Sequence, residues 1–236
     1  MVLTGAGISA ESGVPTFRGD DGLWKKFSPE ELANFDAFMK NPKMVWEWYQ
    51  YRRKIVEEVQ PNPGHTALVE LEKWVPSLVV ITQNVDNLHQ RAGSRHVIEL
   101  HGNILRNRCL ECGRIVTEKE LDFSDGVPRC PHCGGMLRPD VVWFGEMLPE
   151  EALRQAYEAA ETCDVFFSVG TSAVVYPAAS LPEIAFQHGA FVVEVNPEPT
   201  PVTDFAHIVL RGKSGEILPE IVAEIRKIKS ENQQIP

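Results

Sequence analysis

Short runs of apolar, largely β-branched residues recur along the chain and predict strands. We expect strands at residues 2–4, 78–82, 97–100, 165–169, 191–195 and 208–210. Several of these runs are apolar at every position, so both faces of the strand would be buried. Parallel strands that are covered by helices on both sides have this pattern. The strands therefore favour a parallel sheet in the interior of the protein.

Helical patterns lie between these strands. Residues 42–59 carry apolar side chains at the spacing of one helix face, and we also expect helices at 65–73, 150–162, 177–188 and 215–229. Pro149 and Pro177 lie where first-turn prolines are favoured. Strands that alternate with helices predict an α/β protein with a doubly wound, parallel sheet.

Two stretches do not follow this alternation and are interpreted as insertions. Residues 25–74 look helical without a strand, and residues 105–139 hold four cysteines and little apolar periodicity. We expect the two insertions to form a second, smaller domain. The large domain would then comprise residues 1–24, 75–104 and 140–236. A cleft between two domains is the usual position of a ligand site.

Composition and charge narrow the class of protein. The chain has 236 residues, of which 43% are hydrophobic and 24% charged, which is typical of a folded globular protein. No apolar run approaches the ~18 residues of a membrane span, and the first residues do not resemble a signal peptide. We therefore expect a cytoplasmic protein with no membrane partner. The net charge of −10 disfavours direct binding to nucleic acid.

The glycine-rich segment at residues 5–13 follows the first predicted strand. Glycines allow the backbone to turn tightly and to approach a phosphate, and the next helix start would favour a diphosphate. The match to a dinucleotide fingerprint is imperfect, because Ala10 stands where a third glycine is expected. By itself the loop is equally compatible with a tight turn. Arg18 nearby could contact a phosphate or form a surface salt bridge.

Four of the five cysteines form two C-x-x-C pairs, namely Cys109 with Cys112 and Cys130 with Cys133. Each pair directs two sulfurs to one point, and two pairs complete a tetrahedron. This spacing predicts one structural Zn²⁺ with no open coordination position, with iron as the lesser alternative. Cys163 is interpreted as a small buried residue. A zinc ribbon can bind nucleic acid, but the acidic charge of this chain disfavours that function.

Several longer motifs occur together in one order. They are GAGISAESGVPTFRG at 5–19, TQNVDNLHQRAG at 82–93, LHGN at 100–103, the four cysteines, VVWFGE at 141–146, GTSAVVYPAA at 170–179 and VNPE at 195–198. Over essentially its whole length the sequence resembles the sirtuins. The resemblance implies a Rossmann-type NAD-binding domain, a small zinc-bearing domain and NAD-dependent removal of acyl groups from protein lysines. It also implies a helix before the first strand, which this sequence does not contain.

The resemblance also implies roles for individual residues. The acyl oxygen of a modified lysine would attack the nicotinamide ribose, nicotinamide would leave, and His101 would act as the base that activates a ribose hydroxyl. A histidine near its ordinary pKa of ~6.5 suits that task at neutral pH. Without the LHGN motif, a lone histidine after a strand is more often structural. The other six histidines are not assigned a function.

The expected NAD contacts lie in the glycine loop and after the predicted strands. They are Gly5, Ala6, Gly7, Ser9, Glu11, Thr16, Phe17, Arg18, Trp24, Gln83, Asn84, Asp86, Gly170, Thr171, Ser172, Asn196, Pro197, Glu198 and Ser214. Amide, hydroxyl and carboxylate groups of this kind can bind ribose and a carboxamide. Apart from the resemblance, Asn84 could equally be a helix N-cap.

The expected contacts to an acyl-lysine peptide lie in two segments that would pair with its main chain. They are Val142, Phe144, Gly145, Glu146, Val175 and Tyr176. Tyr49 and Arg52 form Y-x-x-R on one helix face, which resembles the sirtuin branch that removes acidic acyl groups. Ala33 lies where that branch has a small residue. The alternative interpretation of this pair is a surface arginine beside a core tyrosine.

Two other functions remain compatible with the sequence. One is mono-ADP-ribosyl transfer to protein, which shares the cleavage of NAD. The other is a zinc-stabilised NAD-binding or chromatin-associated module without catalysis, against which the presence of His101, Asn84 and Asp86 argues.

Overall fold

The computed structural model describes residues 1–16, 29–117, 121, 123 and 126–232. Within these residues a large parallel sheet forms the centre of the protein, with strand order β3-β2-β1-β7-β8-β9. Its strands are β1 (Val2–Thr4), β2 (Val80–Thr82), β3 (Val97–Glu99), β7 (Val165–Val169), β8 (Phe191–Val195) and β9 (Ile208–Leu210). The predicted doubly wound sheet is confirmed.

The described helices flank and connect these strands. They are α1 (Ala6–Ala10), α2 (Pro29–Leu32), α3 (Phe35–Lys40), α4 (Pro42–Glu58), α5 (Pro63–Leu71), α6 (Leu88–Ala92), α7 (Glu150–Thr162), α8 (Leu181–Gln187) and α9 (Ser214–Asn232). Residues 178–180, which were expected to be α-helical, form a short 3₁₀ turn before α8.

Alternate residues of each central strand enter separate hydrophobic cores on the two sides of the sheet. Leu3 and Ile81 face one core, which α7 and α8 complete. Val2 and Val80 face the other core, which α5 and α9 complete. Because both faces are covered, the strand positions carry apolar residues without alternation.

A smaller antiparallel sheet has strand order β5-β4-β6. Its strands are β4 (Gly102–Cys109), β5 (Ile115–Thr117) and β6 (Leu137–Val141). They pack with α3 and α4 around a third core, which includes Trp46, Ile104 and Cys109. This unit combines two segments that are distant in sequence, as expected of insertions.

The packing of α5 differs from the predicted boundary of the helical insertion at residue 74. Ala67, Leu68 and Leu71 of α5 lie in the core of the large sheet, together with Leu218 and Val222 of α9. Their apolar side chains pack against the large sheet rather than against the small unit. The helical part of the small unit therefore ends with α4.

In the part of the chain that the structure describes, no helix is long and apolar enough to cross a membrane.

Candidate active site

A cleft of about 490 Å³ lies between the large sheet and the small unit. It follows the carboxyl ends of β1, β2, β7 and β8, where doubly wound sheets bind their ligands. Most predicted site residues line it, namely Gly5, Ala6, Gly7, Thr16, Tyr49, Arg52, Gln83, Asn84, His101, Val142, Phe144, Gly145, Glu146, Gly170, Thr171, Ser172, Val175, Tyr176, Asn196, Pro197 and Glu198. Phe17, Arg18 and Trp24 lie outside the described residues.

The glycine loop packs directly on the end of β7. The Gly7 N–H donates to the Gly170 carbonyl at 2.8 Å. A Cβ atom on Gly7 would lie 2.7 Å from Gly170, and Gly170 itself has φ +57°. Side chains at these positions would clash, so glycine is required for the close approach of the two loops. The main chain of both loops is thereby brought to the cleft.

His101 lies between β3 and β4 and faces the cleft. Its Nδ1 is 2.9 Å from the Gln83 carbonyl oxygen, and because a carbonyl only accepts, Nδ1 carries the proton. Nε2 is then the unprotonated nitrogen of the neutral ring. Burial lowers the pKa of His101, against a smaller opposite effect of the Gln83 carbonyl. The ring is therefore neutral at pH 7 and can accept a proton.

Gln83 and Asn84 connect the strand ends beneath the cleft. Gln83 Nε2 donates to Thr171 Oγ1 at 2.9 Å. Asn84 Nδ2 donates to the Gly5 carbonyl and to Ser9 Oγ. These bonds direct the Asn84 amide into the site. Asn87, not Asn84, occupies the N-cap position of the helix that follows, without a side-chain cap hydrogen bond.

A smaller recess of about 30 Å³ adjoins the cleft and is lined by Ser9, Asn84, Asp86 and Arg52. Asp86 Oδ1 accepts from the Leu88 N–H at 3.0 Å. Burial raises the pKa of Asp86, while hydrogen bonds from Leu88 and Ser9 and the charge of Arg52 act in the opposite direction. The recess thus combines an amide, a hydroxyl and a carboxyl group in a small volume, which suits a carboxamide-bearing ligand.

Two buried histidines that the sequence did not single out support this recess from behind. His65 Nε2 is 3.4 Å from Ser9 Oγ, and His89 Nε2 is 3.0 Å from Thr4 Oγ1. Burial lowers the pKa of His65 to about 4 and that of His89 to about 3. Both rings are therefore neutral hydrogen-bonding groups. His65 also completes a capping box with Asn62, and the spacing N-x-x-H could have indicated this role.

Glu11 and Ser214 lie apart from the residues that line the cleft. Glu11 Oε2 accepts from the Gly215 N–H at 2.7 Å, at the start of α9. A carboxylate is favourable at that end of a helix. Ser214 is buried at the same helix end. Their contacts to a cofactor remain predictions.

The loop after β8 is held by an ion pair between a buried glutamate and an exposed arginine. Glu194 is buried, and its Oε2 accepts from Arg211 Nη1 at 2.9 Å. Arg211 also donates to the carbonyl of Glu198 at 3.1 Å. Arg211 was not identified from sequence, because it follows β9 and reaches this loop only in the folded protein. The pair fixes the segment that brings Asn196 and Pro197 to the cleft.

Tyr49 and Arg52 of α4 line one wall of the cleft with Ala33. Both side chains are buried, at 1% and 9% exposure, so the alternative of a surface arginine does not apply. The Arg52 guanidinium lies 4.8 Å from the Trp48 ring centroid. Burial lowers the pKa of Arg52, and the charges of Tyr49 and Asp86 oppose that effect.

The segment 141–146 adjoins this wall and is anchored by residues that sequence analysis missed. Arg138 makes a bidentate ion pair with Glu146, whose Oε2 also accepts from the Trp143 N–H at 2.8 Å. Trp143 is buried, whereas Phe144 is exposed. The Phe144 N–H donates to the Ala33 carbonyl, so a bound peptide must use other main-chain groups.

The four cysteines lie at the far end of the small unit. Their sulfurs are all within 4.8 Å of one another. The Cys109–Cys133 and Cys112–Cys130 distances are 3.4 and 3.8 Å, and a tetrahedron with Zn–S bonds of 2.3 Å requires about 3.8 Å. Gly113 and Gly134 have positive φ in the turn of each pair. The arrangement fits a closed, structural zinc site.

The fold defines an α/β protein with a doubly wound parallel sheet and a small unit whose four cysteines are compatible with zinc. Residues 5–177 match the model of the Sir2 family. The chain therefore belongs to the Sir2 family, that is, to the sirtuins.

Curated relatives extend this match to nearly the whole chain. The NAD-dependent protein deacylase of Aquifex aeolicus is 55% identical over 96% of this chain and 95% of that protein. The protein of the same name from Pyrococcus furiosus is 56% identical over 97% of this chain and 93% of that protein.

Solved structures have the same architecture. A complex of a Sir2 homologue with NAD has a TM-score of 0.90 at 51% identity and covers 97% of this chain and 89% of that chain. A complex of Sir2 with a p53 peptide and NAD⁺ has a TM-score of 0.85 at 37% identity and covers 94% of this chain and 91% of that chain.

Proposed function

We propose that this protein is an NAD-dependent protein lysine deacylase that removes acetyl groups and also the acidic succinyl and malonyl groups. The observation that carries the proposal is His101, whose Nδ1 is held by the Gln83 carbonyl beside the glycine loop. A neutral, oriented imidazole in a two-domain cleft is suited to proton abstraction. The names of the relatives support the deacylase function.

The residues of the cleft fit NAD. Gly5, Gly7 and Gly170 line the cleft with main chain that a diphosphate can approach, and the recess of Asn84 and Asp86 has the polarity to hold a carboxamide. Thr171, Ser172 and Asn196 are the further contacts. When bound, NAD supplies the ADP-ribose group that accepts the acyl group while nicotinamide leaves.

His101 acts as the general base in this proposal. Its Nε2 accepts a proton from the hydroxyl group that attacks the acyl carbon. The hydrogen bond from Nδ1 to Gln83 fixes the ring and its tautomer. The residue thereby holds one nitrogen unprotonated without needing a carboxylate partner.

The assignment of His101 as the general base predicts how the rate of deacylation depends on pH. Only the neutral ring can accept a proton, and burial lowers its pKa from the ordinary 6.5. Activity is therefore lost as pH falls through the lowered pKa, so the acid limb of kcat/KM should have its midpoint below pH 6.5. Kinetics with an acetyl-lysine peptide, with circular dichroism to exclude unfolding, would measure it. A midpoint at or above 6.5 would contradict the assignment.

The substrate groove lies between segments 141–146 and 174–176. Tyr176, Val174 and Phe144 expose 73%, 47% and 50% of their surface at its rim. Apolar rim residues and main-chain pairing suit an extended peptide of varied sequence. The partners proposed are therefore acyl-lysine proteins or peptides rather than nucleic acid.

The acidic-acyl specificity rests on Tyr49 and Arg52. A guanidinium can bind a carboxylate with two parallel hydrogen bonds, and a tyrosine hydroxyl can add a third. Ala33 on the same wall leaves space for a longer acyl chain. An acetyl group offers no carboxylate to this pair.

Replacing Arg52 with methionine should reduce desuccinylation selectively. Charge-assisted hydrogen bonds are worth ~1.5–3 kcal/mol, or roughly 10- to 150-fold in catalytic efficiency. Most of the loss should be in KM, because the carboxylate is remote from the reacting atoms. Lys54→Met, at an exposed position of the same helix, is the control. Equal losses for acetyl and succinyl peptides would show that Arg52 is structural.

The proposed activity is tested with purified protein, NAD and one peptide carrying acetyl-, succinyl- or malonyl-lysine. Release of free lysine peptide from all three supports the proposal, and release from the acetyl peptide alone restricts the enzyme to deacetylation.

The metal-type cysteine arrangement supports a reducing compartment, and we place the protein in the cytoplasm on that basis.

A further inference from the structure

The hydroxyl group of Tyr49 is bound by a donor from segment 141–146. Trp143 Nε1 lies 2.8 Å from Tyr49 Oη, and both side chains are buried. An indole N–H can only donate, so the tyrosine oxygen is the acceptor in this bond. The contact joins α4 to segment 141–146 across 94 positions of sequence.

The Arg52 guanidinium lies beside the same tyrosine, 5.5 Å from the centroid of its ring. A guanidinium has donors only, so Arg52 offers no acceptor to the Tyr49 hydroxyl. The hydrogen atom of the Tyr49 hydroxyl therefore points toward neither partner. Tyr49 and Arg52 both line the cleft. The hydroxyl hydrogen of Tyr49 is therefore available to an acceptor atom on a ligand bound there.

Trp143 is held firmly enough to impose this orientation. The Arg138 guanidinium lies 3.5 Å from the centroid of the indole ring, and Phe38 packs against it with centroids 5.2 Å apart. The Trp143 N–H of the main chain is bound by Glu146. Arg138 and Phe38 thus hold the ring, and Glu146 holds the main chain that carries it.

We propose that Trp143 is a specificity-positioning residue, which directs the Tyr49 hydroxyl hydrogen toward the carboxylate end of an acidic acyl group. This inference rests on the proposed function, in which Tyr49 and Arg52 hold that carboxylate. An acyl group without an acceptor at its end gains nothing from the orientation. Trp143 therefore separates acidic from neutral acyl groups by acting on the tyrosine.

The test compares succinyl- and acetyl-lysine peptides in steady-state kinetics of the full chain with NAD. Trp143→Phe keeps an aromatic ring and removes the N–H donor. We expect the succinyl-to-acetyl ratio of kcat/KM to fall about tenfold, the lower end for a charged hydrogen bond, and to fall mainly through KM for the succinyl peptide. Benzothienylalanine at position 143, in which sulfur replaces the N–H in a ring of similar shape, should give the same shift.

A double-mutant cycle separates orientation from packing. Tyr49→Phe should lower the succinyl-to-acetyl ratio, and adding Trp143→Phe to it should lower the ratio no further. Trp46→Phe is the matched control, because Trp46 is buried on the same helix as Tyr49 and donates its indole N–H to the Leu137 carbonyl instead. The succinyl-to-acetyl ratio of kcat/KM for Trp46→Phe should equal that of the wild type.

The outcomes distinguish this inference from the function on which it rests. A wild-type enzyme that removes succinyl groups, with an unchanged ratio in both position-143 variants, overturns the role of Trp143 alone. Additive effects in the cycle overturn it as well, since Trp143 would then act independently of Tyr49. A wild-type enzyme that removes acetyl but not succinyl groups overturns both the acidic-acyl proposal and this inference.

Discussion

Replacing His101 with alanine is expected to lower the rate of deacylation by about 10²–10⁴-fold, the contribution of a positioned general base. The substitution removes Nε2, which is the proton acceptor, and leaves the cleft walls in place. Binding of ADP-ribose, measured by calorimetry, should stay within a few-fold of the wild type. The expected separation of rate from binding follows from the position of the ring beside the Gln83 carbonyl rather than in the glycine loop.

His188→Ala is the matched control for this variant. His188 is exposed and follows α8, where its Nδ1 contacts the Ile184 carbonyl. Its loss should change neither rate nor binding. Turnover of His101→Ala near the wild-type rate would show that the base lies elsewhere, and a parallel loss of ADP-ribose binding would show that His101 is structural.

Removal of the zinc ion should unfold the small unit and abolish activity. Apparent binding free energies of structural zinc are on the order of 10–16 kcal/mol in small domains, so the metal is part of the folding free energy. Cys109 and Cys130 belong to the same core cluster as Trp46, Tyr49 and Trp143. Loss of a metal from the four cysteines would therefore reach the walls of the cleft through packing, although a site of four thiolates leaves no open position for chemistry.

The measurement combines metal analysis with activity and near-ultraviolet circular dichroism before and after a strong chelator. One zinc per chain, lost together with activity and tertiary signal, is expected. Cys130→Ser should reproduce the loss, and Cys163→Ser should not, because Cys163 lies at the end of α7 and outside the cluster. Protein that holds neither zinc nor iron would contradict the assignment.

The strands of the large sheet could be predicted because their apolar runs carry the information locally. Residues 165–169, 191–195 and 208–210 are strands in the structure with the predicted bounds. The pattern is strong in β7 and β8, where most positions on both faces are buried, whereas β9 lies at the sheet edge and has no buried residue. The four-cysteine cluster was also predictable, because its geometry follows from two local turns.

The short elements and the boundary at α5 could not be predicted in the same way. The helices Ala6–Ala10 and Leu88–Ala92 have five residues each, which is too short for a periodic pattern. For α5 the pattern indicates a helix but not the surface it covers. Its assignment to the large sheet depends on contacts with α9, which is distant in sequence.

The candidate site shows the same division. The motifs indicated which segments meet at the cleft, and 21 of the predicted positions line it. The groups that orient them were missed, since Trp143 contacts Tyr49 and Arg211 contacts Glu198 only after folding. Whether a side chain donates or accepts a hydrogen bond depends on its partner in the folded protein, and a single sequence does not show which residues will be partners.

The most direct test of the deacylase proposal is the identity of the products. The protein is incubated with NAD and a succinyl-lysine peptide, and the products are separated, identified and quantified by mass spectrometry. If the protein is a deacylase, we expect nicotinamide, free lysine peptide and succinyl-ADP-ribose in equal amounts. ADP-ribose attached to peptide or protein, with no acyl-ADP-ribose and no free lysine peptide, would contradict it.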